Sequence, residues 1–250
     1  MKLQCLQVLL VVFLLLHLLF IQNSPVINGT PTGYSHDVWV GVDIAYYNLT
    51  EFKAEVDKVS AYTNLIVIGT TGITNNITLL DETCQYLYDQ GLAFIIYVRN
   101  IRASQTQWFQ NASTKWGDHF LGLYSAADEY GGKQLDLNEL RAVWNAENYT
   151  DAAEQYVANL TGNLKRTTRY FDASVTFPLF FSDYALYWFD YKAGCDTSIF
   201  AEFGWNYSRQ LNVALCRGAA TFQNRDWGVM ITWTFTHPPT LNLVNNCTET

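Results

Sequence analysis

A chain of 250 residues that is 49 % hydrophobic and 16 % aromatic has ample material for the core of one large domain. Its net charge of -8, with 15 Lys and Arg spread singly, forms no basic stripe and so excludes nucleic acid as a partner on electrostatic grounds. A neutral partner suits that balance better.

The N-terminus opens with one cation, Lys2, and then the apolar run VLLVVFLLLHLLFI from Val8. That order reads as a signal peptide or an N-terminal membrane anchor over residues 1–24. No A-x-A follows the run, and residues 4–21 just reach the lower limit for a spanning helix. Either version places the body outside the cell, secreted or anchored. Eight N-x-S/T sites point the same way, at Asn28, Asn48, Asn76, Asn111, Asn148, Asn159, Asn206 and Asn246. Composition alone predicts about 2.6, so a glycosylated surface is expected. Residues 25–36 read as a linker rich in Pro, Gly and Thr, and residues 37–250 as one domain.

Strand-like runs begin at Val38 (VWVGVDIAY), Leu65 (LIVIG), Ala93 (AFIIYVR), Phe120 (FLGLYS), Phe177 (FPLFF), Ile199 (IFAEFGW) and Trp227 (WGVMITWTF). Their starts are 27, 28, 27, 57, 22 and 28 residues apart, the rhythm of βα units. Between them lie helical patterns: Thr50 to Ala61 beside the cap-like Asn48 and Glu51, Leu79 to Gln90 stopped by Gly91, two helical lengths from Asn138 to Tyr170, and Tyr207 to Gln223. Continuous apolar runs mean burial on both faces, as in parallel sheets covered by helices.

A dinucleotide-binding sheet lacks its G-x-G-x-x-G loop. Polar residues instead collect at strand C-terminal ends: Asp43, Arg99, Asp128, Glu129, Ser182, Asp183, Glu202, Trp205 and Trp233. A (β/α)8 TIM-type barrel gathers its site on that face. Seven strands are visible and an eighth would begin near residue 256, so the expectation is a barrel incomplete at its C-terminus.

The stretch FLGLYSAADEYGG, Phe120 to Gly132, runs a buried strand into two acids and a Gly pair expected to turn the backbone sharply. A carboxylate beside a packed core is costly without partners, so acids kept there point to binding or chemistry; the plainer alternative is capping of a following helix. Cleavage of a glycosidic bond needs two carboxyls, roughly 5 to 5.5 Å apart for retention and 6.5 to 9.5 Å for inversion. Glu129 with Glu202 fits that need. Glu202, between Phe200, Phe203 and Trp205, should titrate high and act as the acid, leaving Asp128 or Glu129 as nucleophile. An ion pair of Glu202 with Arg209 or Arg217 is the structural alternative.

Residues Asp183 to Lys192, DYALYWFDYK, suit a loop whose Tyr184, Tyr187 and Trp188 stack on sugar faces while Asp183, Asp190 and Lys192 take hydroxyls. The same spacing equally fits a helix packing Tyr184, Tyr187, Trp188 and Tyr191 on one face. Trp39, Trp108, Trp116 and Trp144 read as packing. No cofactor and no metal are expected, since His36, His119 and His237 stand far apart, no C-x-x-C occurs among the Cys, and no G-x-S-x-G offers a Ser nucleophile. Cys84 and Cys216 fall in apolar helical patterns as core residues.

From Val38 to Pro239 the pattern resembles the barrel glycoside hydrolases, on the acids of DEYGG after the fourth strand and FAEFGW in the sixth, with aromatic residues at the rim. It departs from the large clan that ends strand seven with a Glu, because VMITWTF carries no acid. The pairing of strands four and six is closer to α-galactosidase-like barrels, where both acids are Asp. The resemblance implies a carbohydrate partner, catalysis by Glu129, Glu202 and Asp128 with the roles of acid and nucleophile in either order, and substrate contacts from Asp43, Arg99, Asp183, Tyr187, Trp188, Trp205 and Trp233. The alternative is a noncatalytic glycan-binding or cell-surface structural protein on the same barrel, favoured by the missing strand-seven acid.

Overall fold

Strands and helices alternate along the chain as the apolar runs predict. The computed structural model describes residues 38–45, 48–99, 101–126, 128–136, 141–167, 169–170, 177–195, 197–203 and 208–231, which belong to one compact unit starting at Val38. The expected leader and linker, Trp205, Trp233 and Cys247 lie outside the described residues.

The strands are β1 (Gly41–Ile44), β2 (Leu65–Ile68), β3 (Ala93–Val98), β4 (Phe120–Ser125), β5 (Leu179–Asp183), β6 (Ser198–Phe203) and β7 (Asp226–Ile231). All pair in parallel, in sequence order. The helices are α1 (Leu49–Val59), α2 (Thr71–Thr74), α3 (Ile77–Asp89), α4 (Thr106–Trp116), α5 (Tyr130–Leu135), α6 (Tyr149–Thr167), α7 (Tyr187–Ala193) and α8 (Arg209–Gln223). Asp43 of β1 and Met230 of β7 line a single cavity, so the sheet curls. The fold is α/β, a half-barrel of seven parallel strands that matches an incomplete TIM-type barrel.

Local chemistry explains the element ends. Asn48 caps α1 by accepting the Glu51 N–H at 2.9 Å, and Asn76 caps α3 by accepting from Thr78 and Leu79. α3 stops at Gln90, beyond which Gly91 takes φ of 72°. Between residues 138 and 170 one long helix, α6, is described rather than two, and the shorter α5 precedes it.

Two apolar layers result. The outer one, between sheet and helices, holds Ile66, Ile68, Phe94, Ile96, Phe181 and Ile199 against Phe52, Leu80, Leu87, Phe109 and Leu160. Each such side chain contributes about 1.5–3 kcal/mol on burial, so most of the stability lies here. The inner layer is smaller: Leu65, Val67, Ala93, Ile95 and Tyr124, bordered by Tyr97, Leu121, Phe180, Phe200 and Met230. Cys84 and Cys216 are buried thiols of the outer layer, as their patterns predict, and Cys195 joins them. Trp116 and Trp108 pack there too. Trp39 and Trp144 do not, being 38 % and 64 % exposed, because one precedes the edge strand β1 and the other lies in the connection before α6.

Candidate active site

Side chains alternate across a strand, so the inner face at the strands' C-terminal ends is set by parity. Asp43, Tyr97, Tyr124, Glu202 and Met230 meet there. With Asp128, Gly69, Thr70, Thr71 and Ala45 they line a cavity of about 380 Å³. Two of its lining residues are aromatic, Tyr97 and Tyr124 with ring centroids 5.8 Å apart, and beside Tyr124 Phe200 stacks on Phe180 at 5.8 Å. A Cβ at Gly69 would run into the Asp43 carboxylate, so a larger residue there would push that side chain aside.

Asp128 and Glu129 follow β4 and are held by four contacts. The Glu129 N–H donates to the Ser182 carbonyl at 2.8 Å, Lys133 pairs with Glu129 Oε2 at 3.0 Å, and Lys133 Nζ stands 3.7 Å from Asp128 Oδ1 while donating to the Asp128 carbonyl at 3.2 Å. The sharp turn expected of the Gly pair falls two residues earlier: Glu129 has φ of 54°, whereas Gly131 and Gly132 are helical. The two glycines serve close approach instead, since a Cβ on either would strike the Tyr184–Ala185–Leu186 turn.

Glu202 points into the same corner. Its Oε2 accepts from Ser182 Oγ at 2.8 Å, and Ser182 Oγ in turn lies 2.7 Å from the Tyr124 hydroxyl. Its carboxyl also contacts that of Glu129 through a hydrogen bond. Burial, reinforced by the Glu129 charge, pushes Glu202 up to about 7. Burial likewise lifts Asp128 to about 6 against the pull of Lys133, and crowding lifts Asp43 to about 6 although its side chain still opens to solvent. Burial would lower the Lys133 amine, but Glu129 and Asp128 outweigh it and hold it raised. Burial and the neighbouring charge thus favour the neutral form of Glu202, while Lys133 forms its ion pair with Glu129.

Of the expected site residues, the structure brings Asp43, Asp128, Glu129 and Glu202 together. Arg99 is exposed just past β3, at the same end of the sheet but outside the cavity lining. Asp183, Tyr187 and Trp188 stand on the other face. Asp183 directly follows the inward Ser182, so its side chain points outward, where it is fully buried. It accepts the N–H groups of Gly131, Gly132 (2.8 Å), Tyr184 (2.7 Å) and Ala185 (3.1 Å). Burial still pushes it up to about 7, against those four bonds. Asp190, also fully buried, accepts from the Tyr156 hydroxyl at 2.5 Å and meets Asp183 through a carboxyl hydrogen bond; burial and the Asp183 charge raise it well above the usual range. Burial thus favours the neutral form of both carboxyls, and of Asp190 the more strongly.

Tyr187 and Trp188 lie on α7, so residues 187–193 take the helical alternative. Tyr187 is buried among the outer-layer residues, and Trp188 packs on Phe222 with centroids 4.7 Å apart. The cavity residues that sequence reading did not single out are Ala45, Gly69, Thr70, Thr71, Tyr97, Tyr124 and Met230. Tyr97 carried a signal, since it sits two residues from the inward Ile95 at a strand's end. Among the described residues no three His, Cys, Asp or Glu side chains converge as a metal site.

The sequence matches no family model and no curated protein. Among solved structures, the chain is similar to a beta-glucosidase from Exiguobacterium marinum, with 9 % identity over 71 % of this chain and a TM-score of 0.30. The match spans 43 % of that protein's length. A likeness at that level bears on neither chemistry nor substrate, which rest on the geometry above.

Proposed function

We propose that the chain is a glycoside hydrolase in which Glu202 is the general acid and Glu129 the nucleophile. One observation carries the reading: two carboxyls from β6 and from the loop after β4 touch at the rim of a cavity that two tyrosines help line, with one carboxyl raised to about 7 and the other paired to Lys133. In the first step Glu202 gives its proton to the leaving oxygen as the glycosidic bond breaks, and Glu129 bonds to the anomeric carbon. Glu202 then takes a proton from the water that displaces Glu129. Ser182, backed by Tyr124, fixes the Glu202 carboxyl, while Asp43 and the tyrosines offer hydroxyl contacts and ring faces to a sugar. The apolar run at the N-terminus supports action outside the cell, with the body secreted or anchored.

The test is a glycoside screen of the full chain beside Glu129→Gln and Glu202→Gln. Each variant should lose roughly 10²- to 10⁴-fold in turnover of an ordinary glycoside. A dinitrophenyl glycoside, whose leaving group needs no proton, should restore much of the first-step rate to Glu202→Gln and none to Glu129→Gln. Turnover that persists in both variants overturns the assignment. Glycan binding by calorimetry with no turnover in the parent chain would replace it with the noncatalytic reading.

A further inference from the structure

The five N-x-S/T sites among the described residues fall into distinct settings, and three of them share one geometry. Asn48, Asn76 and Asn148 each stand at a helix N-terminus, exposed, with the amide oxygen turned onto the helix. Asn48 Oδ1 accepts from Glu51, Asn76 Oδ1 from Thr78 and Leu79, and Asn148 Oδ1 from Thr150 (2.9 Å) and Asp151 (3.0 Å). A planar amide whose oxygen is committed to the cap directs its nitrogen away from the helix end. In all three the Nδ2 makes no hydrogen bond among the described residues, so it is open to solvent.

Asn159 is the reverse case. It lies in the middle of α6 with Nδ2 donating to the carbonyls of Ala142 (3.2 Å) and Gln155 (2.9 Å), and the hydroxyl of its sequon residue Thr161 is tied to Ala193 at 2.8 Å. A sugar on that nitrogen would displace at least one of these bonds. Asn111, mid-helix in α4, differs again, with Oδ1 held by Gln107 at 3.1 Å.

Topology adds a second observation. The strands are all parallel, so the loops after β1, β2 and β4 lie at one end of the sheet, and they carry Asn48, Asn76 and Asn148. This is the end where Asp43, Asp128 and Glu202 line the cavity.

We propose that Asn48, Asn76 and Asn148 are N-glycosylated and that their glycans border the cavity mouth, while Asn159 is left bare. The donor is a lipid diphosphate-linked oligosaccharide. A bond forms between Nδ2 and C1 of the first sugar as the bond from C1 to the lipid diphosphate breaks; the amide loses one proton, and nothing is oxidised or reduced. The cap survives, because the oxygen that makes it is not the reacting atom.

The experiment expresses the full chain in secretory cells, once with its own leader and once with a strong heterologous signal in place of residues 1–24. Peptide N-glycosidase F in ¹⁸O water then marks each occupied Asn as a labelled Asp for mass spectrometry. Asn48→Asp, Asn76→Asp and Asn148→Asp keep a good capping oxygen and remove the amide, so each should fold and lose one glycan-sized step in gel mobility. Thr50→Ala, Thr78→Ala and Thr150→Ala, which spare the capping residue, should lose the same step, and Asn159→Asp should lose none. With the heterologous signal, an unmodified Asn at any of the three rim positions overturns the proposal, as does a glycan on Asn159.

Discussion

The ends of β4 and β5 are built from nearly the same parts and do opposite things. Each runs from a buried Ser (Ser125, Ser182) through an acid (Asp128, Asp183) to a non-glycine residue in the left-handed region (Glu129 at φ 54°, Leu186 at φ 55°), then into a short helix that starts with Tyr. After β4 the strand has ended before the acids appear, and they turn to the cavity, partly solvated and paired with Lys133. After β5 the acid is still in the strand, and alternation sends it into the helix layer, where four N–H groups and Asp190 make its burial tolerable. An acid at a strand's end is thus ambiguous until its face is known. The two ends are also joined, since Asp183 grips the first turn of the helix that follows Glu129.

The contrast predicts unequal costs. Asp183→Ala strands four buried or half-buried N–H groups and should lower stability by about 3 kcal/mol or more in urea denaturation, whereas Glu129→Gln, half exposed, should stay within about 1 kcal/mol. Equal losses would erase the distinction between a structural and a functional acid. A smaller effect concerns pH. The folded-state value of Glu202 is raised from 4.5 to about 7, so its neutral form is favoured by folding: its contribution is fully present below 4.5 and fades as pH rises to about 7. Melting temperature followed over that window should decline in the parent and decline less steeply in Glu202→Gln. The smallest change is expected at Asp190. If it carries the proton, Asn reproduces it, accepting from Tyr156 and donating to Asp183, and Asp190→Asn should cost no more than about 1 kcal/mol. A loss as large as that of Asp183→Ala would place the charge on Asp190 instead.

Much of the fold was legible because βα spacing and caps are local signals. All seven runs begin within about three residues of the strand they predict, and Asn48 and Gly91 mark helix ends where expected. The acids of DEYGG and FAEFGW were legible as a pair for the same reason, since a parallel sheet brings all C-terminal ends to one side. Which face a strand-end residue takes was not, because a one-residue difference inverts it. Asp183 read like Asp128 for that reason. Tyr187 and Trp188 read equally as sugar platform and as helix packing, because aromatic spacing of three and four residues carries no information about what lies opposite.

The backbone at Glu129 has a further meaning. A left-handed conformation costs a residue with a Cβ about 1–2 kcal/mol relative to glycine, and glycine is the natural occupant of such a turn. Glu129→Gly should therefore leave the melting temperature at or above that of the parent, even with the Lys133 ion pair gone. A search for thermostable variants would reach this substitution early and delete the proposed nucleophile in doing so. On the proposed mechanism, durability and reactivity select different amino acids at this position.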